Sequence, residues 1–301
     1  MARVLLVFLD GCGVGPDSRS NPFLQARMPV WTQLCGRMPL LTGPPAGGGT
    51  GAFALADATL GLPGLPQSAT GQTALFTGHN AAALVGRHQR AYPTPSLARL
   101  IEAHSVCVRA VAQGLQATFA NTFTAEYCDL VQARLLKHTA STLMALSAGL
   151  RLRDIHDLER GEAVYHDITG EALVERGYDL QPTAPAEAGK RLARLAAQHH
   201  FTYFEHFLTD AAGHAQDMDR AVALLERLDA FLGGLVEAMD ARTQLLLISS
   251  DHGNVEDLSV STHTTNPVPV IGYGREAPAA VGGVSSITDV AGRIVAAWSR
   301  S

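Results

Sequence analysis

The chain has 301 residues, 47% of them hydrophobic and 17% charged, with a formal net charge of −5. That balance excludes a disordered polymer and leaves no electrostatic footprint for nucleic acid. The length suffices for a full core, or for one domain plus a smaller one. Lysine occurs only at Lys137 and Lys190, so most positive charge is arginine. Cys12, Cys35, Cys107 and Cys128 are widely spaced with no C-x-x-C, which argues against a zinc knuckle and against a disulfide framework. No apolar run approaches the roughly 20 residues that a membrane helix needs, and no membrane partner is expected. Val4 to Leu9 is short, runs straight into Asp10 and reads as a first strand rather than a leader. The expected compartment is the cytoplasm, and the oligomeric state stays open.

Residues 3–9 form a β-rich apolar run that ends at D10-G-C-G-V-G15. A dinucleotide fingerprint would need glycine at position 16, where Pro16 stands. Asp10 is therefore the useful residue, a carboxylate at a strand's end. Met28 to Gly36 reads as a short helix, and residues 43–51 as a glycine-rich loop without G-K-[ST], which excludes a P-loop. A strand over 52–58 leads to a helix from about Gly71 to Phe76, with Ser68 just before it. A hydroxyl there is either an N-cap or a group held where helix amides and the macrodipole stabilise an oxyanion or a phosphate.

The texture changes between Asn80 and Pro185. Arg87, His88 and Arg90 come first, then Thr94-Pro95 opens a helix through about Ala103. Residues 106–112 read as a strand. Residues 121–150 are helical in pattern, with Leu130, Leu135, Leu136, Leu143 and Leu146 among the apolar positions. A charged cluster from Arg151 to Arg160 follows, expected as a solvated surface. Residues 83–185 are thus expected to be an inserted unit with its own small core, dividing a main domain into 1–82 and 186–301.

The main rhythm resumes with a helix from Ala184-Pro185 to about Gln198 and a strand over 201–208. T209-D-A-A-G-H-A-Q216 follows at once and brings Asp210 and His214 to the same sheet edge. Residues 217–239 form a long amphipathic helix, with Ala221, Leu224, Leu225, Leu228, Leu232 and Leu235 near 3.6-residue spacing. A strand over 243–249, a loop carrying Asp251 and His252, a strand over 268–273 and a last helix capped by Thr288 complete the chain. This alternation predicts an α/β fold, a mostly parallel sheet sandwiched by helices.

Asp10, Asp210, His214, Asp251, His252 and His263 fall at or near predicted strand ends, where open α/β sheets place their ligand sites. Three carboxylates and three imidazoles are too many for one metal and suit two divalent ions sharing an anionic substrate. Asp210 and His214, four residues apart, can close on one ion, whereas Asp251 and His252 need a turn to coordinate together. Two ions roughly 3.5–4 Å apart clamp the entering and leaving oxygens of an in-line phosphoryl displacement. A serine hydroxyl at such a site is activated as a nucleophile.

With D10-G at the end of the first strand, Q67-S-A-T-G-Q72, D210-A-A-G-H214, S250-D-H-G-N254 and H263-T-T-N-P-V268, the chain resembles the alkaline phosphatase superfamily, in the branch of cofactor-independent phosphoglycerate mutase and phosphopentomutase. The resemblance implies an alkaline-phosphatase-like core with a small inserted α/β cap. It implies one metal on Asp210, His214 and His263, another on Asp10, Ser68, Asp251 and His252, and phosphorylation of Ser68 during turnover. The mutases usually carry His where Gln72 stands, and Thr70 is a rival nucleophile, though spacing to Gly71 favours Ser68. Arg151, Arg153 and Asp154 resemble the mutase Arg-Asp pair, and with Arg87 and His88 they are the candidate substrate contacts. A sulfatase is disfavoured because C-x-P-x-R is absent. Manganese is typical of the branch, and zinc or magnesium serve relatives. The resemblance thus implies a phosphomutase acting on a small phosphorylated metabolite, with a phosphomonoester hydrolase as the alternative. The alternative of another class is a non-catalytic, metal-binding regulatory protein.

Overall fold

Val4 to Leu9 is apolar at every position, and each of these side chains is buried. A strand that is hydrophobic on both faces has to be covered on both, which is the situation inside a parallel sheet. The computed structural model describes residues 1–42 and 46–299, and residues 43–45 of the expected 43–51 loop lie outside the described residues. In it β1 (Arg3–Leu9) joins β2 (Ala52–Ala56), β3 (Ala117–Phe119), β4 (Phe201–His206), β5 (Gln244–Ser250) and β6 (Val268–Tyr273) in a six-stranded sheet. The order is β2-β6-β5-β1-β4-β3. β1 runs parallel to β4 and β5, and β3 parallel to β4, while β6 is antiparallel to both β5 and β2. The mostly parallel α/β sheet expected from the alternation is the one that forms.

Helix α1 (Pro29–Cys35) lies between β1 and β2. Between β2 and β3 come α2 (Ser68–Thr77), α3 (Ala81–Val85), α4 (Pro95–His104) and α5 (Val106–Ala112). Between β3 and β4 come α6 (Ala125–Gln132), α7 (Ala140–Ser147), α8 (Ile155–Glu159), α9 (Glu171–Glu175) and α10 (Pro185–Ala196). Helices α11 (Leu208–Ala215) and α12 (Met218–Ala238) link β4 to β5, and α13 (Ala277–Val281) and α14 (Ile287–Ser299) follow β6. The period-two alternation of each strand sorts the core into two layers. Val4, Leu6 and Phe8 share one layer with residues of α2, α4, α5, α7 and α14; Leu5, Val7 and Leu9 share the other with α1, α10 and α12. No helix among the described residues is long and apolar enough to cross a membrane.

Four expectations need correction. Residues 106–112 form α5 rather than a strand. Val106, Cys107 and Ala110 are its buried positions, one helix face, while Val108 is half-buried and Val111 exposed, so the valines do not alternate as a strand would need. Residues 121–150 split into α6 and α7, with Arg134 at a φ of 59° in the break. Leu135 is 76% exposed, and Leu130 and Leu146 are exposed too, so these leucines build no local core. Part of residues 83–185 also packs in the main core instead of a core of its own: Leu97, Ile101, Val106, Phe119 and Met144 share the cluster of Val4 and Trp298. The same stretch supplies the edge strand β3. Finally, Thr288 lies inside the first turn of α14, and Ser286 Oγ accepts its N–H at 3.3 Å and its hydroxyl at 2.9 Å.

The charged cluster after residue 150 is less solvated than its composition suggests. Asp157 is buried, accepts from both Arg151 and Arg160 at 2.6–2.7 Å, and closes a capping box with Asp154 at the start of α8. Its hydrogen bond from Arg151 holds the carboxyl down at about 2. Because the folded value lies below that of the unfolded chain, the stabilisation is present above about pH 4 and is lost as pH falls through 2. Both arginines are more than half exposed, which keeps the effect modest. Asp157→Asn is expected to cost about 1–2 kcal/mol at pH 7, with the difference shrinking toward pH 2.5. Urea unfolding at both pH values checks this, and an equal difference at the two would contradict it.

Candidate metal centre

The strands β5, β1 and β4 are neighbours and parallel, so their carboxyl ends meet at one edge. Asp10 directly follows β1, and Asp251 and His252 directly follow β5. Asp210 and His214 lie one helical turn apart on α11, which starts two residues after β4. His263 comes from the loop before β6, which an isolated bridge between Gly253 and Thr264 folds back toward His252. Ser68 is the first residue of α2, with Gln67 as its N-cap. Helix α2 reaches this edge because Gly71 has no side chain: a Cβ there would lie 2.6 Å from the Asp251 carbonyl oxygen. Gly11, at a φ of 65°, likewise lets the turn after β1 pass against Asp210.

These residues gather into two groups. Ligand atoms of Asp210, His214 and His263 all lie within 4.8 Å of one another, and so do those of Asp10, Asp251 and His252. In the first group the two imidazole Nε2 atoms are 3.2 Å apart, and each is within 3.4 Å of an Asp210 oxygen. In the second, His252 Nε2 is 3.3 Å from Asp10 and 3.4 Å from Asp251. The His252 and His263 rings stack with centroids 3.8 Å apart, joining the groups. Ser68 Oγ sits 3.1 Å from His252 Nε2.

The outward face of each imidazole fixes its tautomer. Nδ1 of His214 meets the Ser261 carbonyl at 2.9 Å, that of His263 the Pro66 carbonyl at 2.7 Å, and that of His252 the Gly253 carbonyl at 3.4 Å. A carbonyl only accepts, so Nδ1 carries the proton and the Nε2 lone pair faces inward, the arrangement typical of metal-ligating histidine. Burial, then the neighbouring Asp251 and Asp210, push the Asp10 carboxyl well up; burial and Asp210 do the same to Asp251. Burial and the adjacent His263 push His252 well down. Asp10 Oδ1 and Asp251 Oδ2 are buried without a hydrogen-bond donor. Converging carboxylates, inward lone pairs and orphaned oxygens fit a divalent cation held by nitrogen and oxygen ligands.

A cation that binds only the folded chain stabilises it. Manganese at about 100 times its Kd is expected to contribute about 2.7 kcal/mol, a rise in Tm of about 5 °C. Asp251→Asn should remove most of that rise. A scan in which manganese shifts neither protein would contradict the assignment.

One side chain outside the quoted motifs, with two that end them, completes the frame. Buried Glu256 accepts the Gly13 and Asn254 N–H groups at 2.8 Å, the Thr264 hydroxyl at 2.5 Å and the Asn266 amide at 3.1 Å, tying the loop after β1 to both ends of the β5–β6 loop. Asn254 in turn donates to Asp210 Oδ1 at 2.7 Å, and Gln72 donates to Asp10 Oδ2 at 3.2 Å. The sequence signal for Glu256 was its place in the Asp-His loop, where an acidic residue looks like any other surface charge.

The rival Thr70 is fully buried, donating to the Gln67 carbonyl and accepting from the Gln89 N–H. The five candidate substrate contacts are not brought to this edge. Arg87 donates to Gln89, and His88 lies against the Leu62 carbonyl. Arg151 pairs with Asp157, Arg153 donates twice to the Thr118 hydroxyl, and Asp154 caps α8. Their charges serve local structure. A cleft of about 680 Å³ instead runs from Asp10, Ser68, Asp210 and His214 along residues of the 119–142 and 165–176 segments.

The model of the Metalloenzyme superfamily matches residues 2–298. Over 129 residues the chain is 32% identical to the 2,3-bisphosphoglycerate-independent phosphoglycerate mutase of Methylobacillus flagellatus, an alignment covering 40% of this chain. It covers 25% of that relative, so the chain spans about a quarter of the length of the curated protein it matches. The alkaline phosphatase of the Antarctic bacterium TAB5 superposes with a TM-score of 0.57 at 13% identity, over 100% of this chain and 98% of that one. The phosphoglycerate mutase of Leishmania mexicana gives a TM-score of 0.57 at 11% identity, over 96% and 94%. At these identities the likeness shows the fold, which is alkaline-phosphatase-like. With its sheet, its gathered ligands and a match across nearly its whole length, the chain belongs to the Metalloenzyme superfamily.

Proposed function

We propose that this protein is a metal-dependent phosphoryl-transfer enzyme in which Ser68 attacks the phosphorus of a small phosphomonoester. The observation that carries it is the placing of Ser68 Oγ, at the positive end of α2, 3.1 Å from His252 and in the same cleft as Asp10, Asp210 and His214. Two divalent ions, manganese before zinc or magnesium, would be held by Asp210, His214 and His263 and by Asp10, Ser68, Asp251 and His252. When bound, they supply Lewis acidity toward the phosphoryl oxygens. The amides of the first turn of α2 favour the same oxygens. Gln72 and Asn254 hold the carboxylates, and the Nδ1 contacts hold the imidazoles. As the Oγ–P bond forms, the bond from phosphorus to the alcohol oxygen breaks. The serine loses its proton and the departing alkoxide gains one, leaving phosphoserine and a free alcohol.

Water then attacks phosphoserine, releasing phosphate and restoring the hydroxyl. Exposure of the His214 side chain, at 45%, favours this hydrolysis because solvent reaches the site. The second reading is return of the phosphoryl group to another oxygen of a retained alcohol, as in a mutase, and the partial sequence likeness to phosphoglycerate mutases favours it. In either case the inserted stretch 83–185, continuous with the main core through β3, supplies most of the cleft's wall beyond the ligand groups. The test is to incubate manganese-loaded protein with a panel of phosphorylated metabolites, following phosphate release and isomerisation separately. Release supports hydrolysis, and isomerisation without release supports a mutase. Manganese binding with neither would leave a metal-binding protein without turnover.

A further inference from the structure

The cleft is much larger than a phosphoryl group, and its far wall is aromatic. Phe119, Phe123 and Tyr127 form one continuous run, with centroids 5.5 and 4.9 Å apart. Tyr165, His166 and Phe207 form a second, at 4.1 and 4.4 Å, and Phe207 lies three residues before Asp210. Phe207 and Leu130 are exposed although large and apolar, so part of this wall presents hydrophobic surface to solvent. Burial pushes His166 down to about 4, which keeps its ring neutral, and its Nδ1 is buried without a partner.

Charge in the cleft points the same way. Among the described lining residues, Arg176 has the one permanent positive charge. Its guanidinium is already engaged, donating to the Tyr165 hydroxyl at 3.2 Å and pairing with Glu126 at 3.6 Å. Glu126 and Glu205 also line the cleft, and Glu205 accepts from Ser141 at 2.6 Å. At the aromatic end of the cleft a second anionic group would meet the Glu126 carboxylate, where the one lining cation is already engaged, while Arg90, close enough to act on His263, is not among the lining residues. A flat apolar body meets what the wall offers, since ring stacking adds to the gain from area burial.

We propose that the phosphomonoester taken by this site carries a planar, apolar ring system and no second anionic group. This rests on the phosphoryl-transfer reading of Ser68. The site size agrees, because clefts of roughly 300–1,000 Å³ hold ring-bearing ligands and this one measures about 680 Å³.

The test compares three alkyl esters of similar intrinsic reactivity on manganese-loaded full-length protein: 2-naphthylmethyl phosphate, n-butyl phosphate and 3-phosphoglycerate. The naphthylmethyl ester is expected to exceed n-butyl phosphate in kcat/KM by at least about tenfold and 3-phosphoglycerate by at least about a hundredfold. Phe123→Ala should cut the naphthylmethyl-to-butyl ratio about tenfold. Calorimetry with 2-naphthylmethylphosphonate and phosphonoacetate, on wild type and Ser68→Ala, reads the same preference without turnover. If no ester reacts but the naphthyl phosphonate binds preferentially, the ring-binding cleft stands and the transfer reading falls. If esters react but 3-phosphoglycerate matches or exceeds the naphthylmethyl ester, or Phe123→Ala leaves the ratio unchanged, the ring preference is overturned while the transfer reading stands. No turnover and no binding preference overturns both.

Discussion

Ser68→Ala is expected to lower phosphomonoester turnover by at least about a thousandfold, because it deletes the atom that forms the new bond to phosphorus. The folding cost should be small. The hydroxyl has one side-chain contact, to His252 Nε2 at 3.1 Å, and removing it also removes the need to satisfy it. The measurement is phosphate release under saturating manganese, beside acid-quench trapping of labelled phosphoprotein. Wild type should yield phosphoserine at Ser68 and the variant none. Thr70→Val provides the control. The Thr70 hydroxyl is occupied by the Gln67 carbonyl and the Gln89 N–H, so that variant should keep its turnover. Equal turnover in Ser68→Ala and wild type would remove the nucleophile, and loss in Thr70→Val alone would reassign it.

Glu256→Ala should have the largest effect on stability. The carboxylate is fully buried and receives four donors, one from the loop after β1 and three from the β5–β6 loop. Each buried donor left without an acceptor costs about 1–3 kcal/mol. Partial relaxation and entry of water bring the expected total to about 3–5 kcal/mol. Manganese affinity should fall with it by about 10–100-fold, the usual cost of losing a residue that positions metal ligands. The route is short: Glu256 accepts the Asn254 N–H, and the Asn254 amide holds Asp210. Glu256→Gln should cost less than alanine, since its amide oxygen still accepts the two backbone N–H groups. Guanidinium unfolding and manganese titration of the three proteins separate these outcomes. An alanine variant within 1 kcal/mol of wild type would mean that the loops hold their positions without this carboxylate.

Some features were legible because their signal is local. β1 and β5 announce themselves as short apolar runs ending in polar, turn-forming residues, and α12 by a leucine stripe at 3.6-residue spacing. The motif carboxylates and imidazoles could be placed at one sheet edge from order alone, because parallel strands put their carboxyl ends together. Residues 106–112 failed for the converse reason. Seven residues with three valines satisfy strand and helix patterns alike, and packing of Val106, Cys107 and Ala110 against the core decided the matter. The arginines of 83–185 failed because a guanidinium looks the same in sequence whether it meets a substrate or, as Arg151 and Arg153 do, Asp157 and Thr118.

By itself the sequence determined the layered α/β class and the strand-end positions of the ligand set, both consequences of periodicity and chain order, whereas the helix expected from Gly71 begins three residues earlier, at Ser68 itself. Only the tertiary structure decided that part of residues 83–185 packs in the main core, that Glu256 ties the β1 loop to the β5–β6 loop, and that Phe123 and Phe207 line the same cleft. Those facts depend on contacts between residues far apart in the chain. Such contacts are set by how the faces of separate elements pack together, and no short window of residues encodes that.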